Sequence, residues 1–143
     1  MVELLIVIAI IMVLITAAIP IYKTGRMNAR ETTVMREMQT IFQAQIQYQS
    51  QFGGFADSLA QLGPPVSGTA GPQAARLIPR SLASGEKGGY LFRLARSGEG
   101  FAAWARPKEY DVTGRRSFFI DENGVVHYHW GREDAGAESP EIQ

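Results

Sequence analysis

The side chains of this sequence that could do chemistry are few, and their spacing decides which chemistry to weigh. His127 and His129 stand two apart in GVVHYHW, so on a strand both would face one side, where two imidazoles can begin a metal site. No clear third ligand accompanies them, and they read as histidines at a surface or a sheet edge. DENG, residues 121–124, offers the carboxylates of Asp121 and Glu122 to a calcium ion, yet the same four residues are a tight hairpin signal. Arg76, Arg80, Arg93, Arg96, Arg115 and Arg116 could form a nucleic-acid patch, but they read better as a solvated face of mixed charge. Cysteine is absent, which removes thiolate metal sites, thiol nucleophiles and disulfides. With both histidines on one strand, no phosphate-cradling glycine motif and no carboxylate pair of clear geometry, no nucleophile–base arrangement stands out. The expectation is a protein that is not an enzyme and carries no cofactor.

One carboxylate is placed differently. Glu3 opens the run ELLIVIAIIMVLITAAIP, in which Leu4 to Ile19 carry no charge and Thr16 alone is polar. Such a run spans about 24 Å as a helix, and Met1, Val2, Ile21 and Tyr22 extend it toward the roughly 30 Å of a bilayer core. A carboxylate in hydrocarbon costs roughly 2.5–3.5 kcal/mol and so implies a cationic partner. No cationic side chain lies within a turn of Glu3, so that partner must come from elsewhere; the plainer alternative is a glutamate that reaches the headgroups. Pro20 lacks an N–H and leaves the carbonyl of Thr16 without its helical donor, so the helix should kink or bend there. A cleaved secretory signal would begin with basic residues, whereas the only early charge here is acidic.

The elements that must position these residues follow from periodicity. Residues 1–22 form a hydrophobic helix, and the pattern continues past Pro20 as an amphipathic helix over residues 23–52, so that one helix runs from the N-terminus to about Gln51. Val34, Met38, Ile41, Tyr48 and Phe52 make its apolar stripe, with Gln45 in the remaining position, Phe42 and Ala44 widening it, and Arg30, Glu31 and Arg36 mostly elsewhere. Tyr22, Phe42, Tyr48, Phe52 and Phe55 read as core aromatics, not as a conductive array. Gly53-Gly54 ends the helix. Residues 53–88 form a connecting loop with short helical turns, one near FADSLAQLG capped by Asp57 or Ser58 and another around Pro79. From residue 89 to 130 the period changes to two, which predicts an antiparallel meander of three or four strands: GYLFRLAR, GFAAWAR, RRSFFI and GVVHYHW. Residues 131–143 are acidic and patternless, frayed or laid over an edge strand. The expected class is α+β, a long helix backing a small antiparallel sheet. Lys plus Arg and Asp plus Glu number 14 each, so bulk charge favours neither nucleic acid nor acidic surfaces.

The first twenty residues closely resemble the N-terminal segment shared by type IV pilins and type II secretion pseudopilins: Glu-Leu-Leu-Ile-Val-Ile-Ala-Ile-Ile, a hydrophobic stretch, then Ala-Ile-Pro. Glu3 and Pro20 have the separation of the family's glutamate and kink proline. TIFQAQIQYQSQFGGFADSLAQLG and LIPRSLASGEKGGYLFRL resemble, more loosely, G/H-type pilin-like proteins. The resemblance implies a subunit that the inner membrane holds until it polymerises with copies of itself into an extracellular pilus. Prepilin peptidase and the pilus assembly machinery would be its partners. The filament core would come from Leu4, Leu5, Ile6, Val7, Ile8, Ile10, Ile11 and Leu14, with Glu3 meeting the N-terminal amine of the neighbouring subunit and Pro20 letting the helix bend. In the family register the glutamate is fifth, which places two mature residues and a basic leader ahead of this chain. That leader would also set an orientation opposite to the one Lys23, Arg26 and Arg30 alone would impose. The second reading within the family is a periplasmic pseudopilin for protein export, although the Asp-Pro-Trp-Gly signature of the calcium-binding major class is absent. From another class comes a single-span anchored binding module, in which Glu3 would stay unpaired.

Overall fold

The computed structural model describes residues 1–142, and its dominant element is a single helix, α1, over Val2–Phe52. At 1.5 Å per residue it is roughly 75 Å long. It ends where the sequence stops supporting it: Gly53 takes a left-handed φ of 79°, and its N–H donates to the carbonyl of Gln49 at 2.8 Å. Along the second half, Met27, Glu31, Val34, Met38, Ile41, Gln45 and Tyr48 are buried. Their spacing alternates four and three, which holds one stripe on one side of the helix. The stripe thus begins at Met27, about two turns before Val34, and includes Glu31, which the sequence pattern had set mostly outside it. Phe52, expected in the stripe, is exposed at the helix end and stacks on Tyr48 with ring centroids 4.7 Å apart.

The sheet under this stripe has five antiparallel strands in chain order: β1 Glu86–Lys87, β2 Tyr90–Ser97, β3 Gly100–Pro107, β4 Arg116–Asp121 and β5 Val126–Trp130. The four longer strands fall on the four segments with a period of two. The extra one, β1, lies in the GEKGG turn, where two residues pair back on Leu91 and Tyr90 before the chain reverses. Tyr90, Phe92 and Leu94 of β2 join Phe101, Ala103 and Ala105 of β3 and Phe118 and Ile120 of β4 against α1. Alanines on β3 let the helix approach closely, while Phe101 fills the space between Phe42 and Phe55, at 6.3 and 5.1 Å between centroids. Each large apolar side chain buried here contributes roughly 1.5–3 kcal/mol against exposure.

Between helix and sheet, α2 (Leu59–Leu62) and α3 (Arg80–Ala83) are single turns that plug the end of the core with Leu59, Leu62 and Leu82. Ser58 occupies the N-cap of α2 without capping through its side chain; instead the N–H of Asp57 donates to Gln61 Oε1 at 2.7 Å. Gln45 is fully buried and satisfied, its amide clasping both the N–H and the carbonyl of Ala56 at 2.9 and 3.0 Å. Gly124 closes the β4–β5 hairpin at a φ of 77°, and a Cβ there would lie 2.7 Å from the Phe42 ring. That glycine lets the hairpin tip meet the helix.

The acidic C-terminal segment lies over the sheet. It leaves β5 with Gly131 N–H bonded to the Arg115 carbonyl, crosses the face opposite α1, and buries Ala135 against Ala102 and Phe119. Ser117 Oγ donates to the Glu133 carbonyl at 2.7 Å. The segment then returns along β5, where Tyr128 N–H donates to Pro140 and Ile142 N–H to Val126, both at 2.9 Å. Of the two readings open for this segment, covering an edge strand is the one found.

Candidate assembly surface

The first half of α1 buries no side chain against the rest of the fold. Every residue from Met1 to Arg26 is exposed, and the first buried side chain is Met27. Leu4, Leu5, Ile6, Val7, Ile8, Ile10, Ile11 and Leu14 range from 41 to 66 % exposed, values that no folded domain leaves to water along so many consecutive apolar residues. This helix is long and apolar enough to cross a membrane, with none of that window buried. The Thr16 hydroxyl, the one polar group between Leu4 and Ile19, bonds back to the Val13 carbonyl at 2.7 Å and so presents no free donor.

Glu3 and Pro20 bracket this surface. They lie about 25 Å apart along the axis. Glu3 is exposed, and the nearest cationic side chain in sequence is Lys23, about 30 Å further along the helix. Pro20 lies inside a helix that continues unbroken through it, with Thr24 Oγ1 donating to the Pro20 carbonyl at 3.2 Å. The Thr16 carbonyl has no N–H to receive there, a soft point where the exposed rod meets the part of α1 that the sheet holds.

What fixes the rod to the head is a carboxylate that the sequence reading passed over. Glu31 is 2 % exposed. Its Oε1 accepts the backbone N–H groups of Arg115 and Arg116 at 2.8 and 3.2 Å, and its Oε2 accepts Arg116 Nε at 2.6 Å. The guanidinium of Arg116 lies over the rings of Phe118, Tyr128 and Trp130 at 5.2–5.7 Å. Around this point the 108–115 loop holds the helix again: Arg30 donates to the Val112 carbonyl at 3.3 Å, and Lys23 lies 4.0 Å from Asp111. The Arg115 guanidinium beside Asp111 holds that carboxyl below its usual range, and the Glu86 carboxylate raises Lys108. The signal for Glu31 was available in sequence as its place between Met27 and Val34 in the four-three spacing.

The other candidate groups are separated. His127 and His129 do share the face opposite the helix, but His127 Nδ1 bonds the Ser139 carbonyl at 2.7 Å, and His129 stands 3.8 Å from Glu133. Both partners come from the C-terminal segment. Asp121 spends its two oxygens on the N–H and side-chain amide of Asn123, within the hairpin turn, and Glu122 is exposed beside it. Among the described residues no three His, Asp or Glu side chains gather as a metal site would need. The six arginines do not converge either. Arg76 sits in a loop at a φ of 57°, Arg80 reaches the Pro65 carbonyl, Arg96 is exposed near the end of β2, and Arg115 and Arg116 are engaged as above. Arg93 alone goes to the outer face, where it lies 4.3 Å over the Trp104 ring.

Comparison with protein-family models, with curated proteins and with solved structures finds no match.

Proposed function

We propose that this chain is a structural subunit that polymerises through α1 into a filament of the type IV pilus kind. The observation that carries this reading is the pairing of an exposed, all-apolar half-helix with a lone carboxylate near its end. The apolar surface supplies adhesion without direction, since burial energy scales with area and does not specify register. Glu3 supplies the register: a carboxylate removed from water is tolerated only where a cation meets it, so copies dock at the one offset that provides that cation. The resemblance of ELLIVIAIIMVLITAAIP to pilin N-termini supports the same reading and supplies the partner, the N-terminal amine of the neighbouring subunit. Before assembly the apolar half-helix rests in the inner membrane; afterwards the heads face outward around a helical core. Prepilin peptidase and the assembly machinery enter by the same resemblance. The chain acts by assembly and not by catalysis.

The experiment is negative-stain electron microscopy of sheared surface material from cells expressing the full precursor, wild type beside Glu3→Ala. Thin filaments containing this chain, lost in the variant while its head remains folded, are the expected result. Absence of filaments in both strains, with the protein retained in the inner membrane, would move the assignment to a short periplasmic pseudopilus of a secretion system or to an anchored binding module.

A further inference from the structure

The end of the head nearest the apolar half of α1 is built unlike the rest of its surface. Outside α1, the large apolar side chains left exposed among the described residues are Val66, Tyr110, Val112 and Trp130. Three of these four stand at this one end. Asp111 reaches Lys23 and the Val112 carbonyl accepts from Arg30, so the 108–115 loop lies alongside α1 between those two levels, about 10 Å of rise. Trp130 pairs with Arg116 in the β4–β5 register, and the Arg116 guanidinium lies over its ring at 5.2 Å while holding Glu31, the residue after Arg30. The loop is tightly tied. Val112 and Thr113 both donate their N–H to the Glu109 carbonyl, at 3.2 and 2.9 Å, and Asp111 takes a left-handed φ of 64° with its N–H on the Gly114 carbonyl. Strain of that kind persists only where the surroundings over-determine it, and here it leaves Val112 exposed at the tip.

Lys23, Arg26 and Arg30 recur at spacings of three and four, which keeps them on the side of α1 that this loop approaches. With Arg115 they make four cations. Against them stand Asp111, which pairs with Lys23 and Arg115, and the exposed Glu109, so two positive charges remain in excess. Lys108 is balanced by Glu86 and Arg116 by Glu31. Arg132 lies over the Tyr110 ring, but Glu133 and Asp134 follow it, and it adds nothing to that excess. Depth matters as much as charge. Residues 1–22 of α1 rise about 30 Å, the thickness of a hydrocarbon core, which puts Tyr22 at its boundary. The headgroup layer beyond is about 5–8 Å deep, so Lys23, Arg26 and the loop that meets them fall at the depth of the phosphates. Exposed Tyr and Trp, an apolar loop tip and an excess of cations at that depth match a surface of anionic lipid.

We propose that the 108–115 loop and Trp130 form a docking surface that seats the head on anionic phospholipid headgroups. Val112, Tyr110 and Trp130 enter the interface, while Lys23, Arg26, Arg30 and Arg115 meet the phosphates. This rests on the reading that the apolar half-helix lies in a membrane before assembly, and it needs no filament. The chain has no cysteine, so Val112→Cys accepts a single fluorophore. The full chain carrying that label is placed in nanodiscs of phosphatidylcholine alone or with about one-third phosphatidylglycerol, and acrylamide quenching reads its exposure to water. The quenching constant is expected to be about threefold lower in the anionic discs. High salt, or Lys23→Gln combined with Arg26→Gln, should restore most of the difference. A label at Val66→Cys, in the exposed loop near the far end of α1 where Tyr48 holds the Pro72 carbonyl, should be quenched alike in both discs. Equal quenching of the Val112→Cys label in the two discs, with an Ile10→Cys label shielded, would overturn the docking and leave the membrane reading standing. An Ile10→Cys label open to the quencher would overturn both. Shielding at Val112→Cys that appears only in discs holding two or more copies would overturn the proposal in favour of a contact between copies.

Discussion

Glu31 of the helix and Arg116 of β4 meet through a 2.6 Å hydrogen bond, with the carboxylate buried and the guanidinium partly open to solvent. The same carboxylate holds two backbone N–H groups, so removing it strands three donors at once. Glu31→Ala should therefore destabilise the head by about 3 kcal/mol, within the range for breaking a buried pair from one side. Glu31→Gln, which keeps an acceptor, should cost less. Urea unfolding followed by circular dichroism in detergent measures both; equal midpoints for wild type and Glu31→Ala would show that the clamp adds nothing.

Tyr90 makes the same junction sensitive to alkali. Its hydroxyl donates to the Arg116 carbonyl at 3.0 Å and lies so close to Gly114 that a Cβ there would overlap it. Burial is the main reason its phenol ionises above the usual range, and the Glu31 charge adds to this while Arg116 opposes it. Since the folded value exceeds the unfolded one, near 10, this stabilisation is fully present below about pH 10 and is lost as pH rises toward the folded value. Unfolding midpoints should hold up to about pH 9 and fall from about pH 10 upward, and Tyr90→Phe should flatten that fall. Gly114→Ala, which drives a methyl against the ring, should cost about 1–3 kcal/mol at every pH.

Deleting residues 1–22 should leave the head intact. The first buried side chain is Met27, and the side-chain contacts that cross the boundary, Thr24 Oγ1 to the Pro20 carbonyl and Arg26 over the Tyr22 ring, both lie on the exposed part of the helix, while the Lys23–Asp111 pair is kept. The truncated chain is expected to be soluble without detergent and to melt within about 2 °C of the full chain in micelles. A large drop in melting temperature would mean that the apolar half-helix contributes to the fold after all.

Truncation after Trp130 should do the reverse. It would uncover Phe119 and Ala102 on the outer face and release the backbone partners of Val126 and Tyr128. A loss of about 2 kcal/mol is expected from the uncovered Phe119 side chain alone. Chemical unfolding gives the first number, and thioflavin fluorescence on standing reports whether β5 then recruits other chains.

What the sequence made legible was whatever depends on period. The helix to Phe52 and four of the five strands follow from spacings of three and four or of two, because burial on one side imposes those periods directly. Glu3 and Pro20 stood out because each violates the chemistry of its surroundings. Glu31 did not, because a charged residue in a stripe looks like a solvated one until its partners, more than eighty residues away, are known. The two-residue β1 was too short to carry a period, and the course of the C-terminal segment is set by Ala135, Ser139 and Pro140 meeting strands with which they share no pattern.

The C-terminal segment also decides how this molecule is prevented from sticking to others. In the proposed filament adhesion is wanted on one surface, the apolar rod, and any second adhesive surface would turn ordered growth into precipitation. A sheet has two such surfaces, its edges. Here one ends in Glu86 and Lys87, too short and too charged to template another strand, and on the other Pro140 and Ile142 already satisfy the hydrogen bonds that β5 would offer. The border at β5 is thus closed by the chain itself, and the broad apolar surface left open is that of the helix.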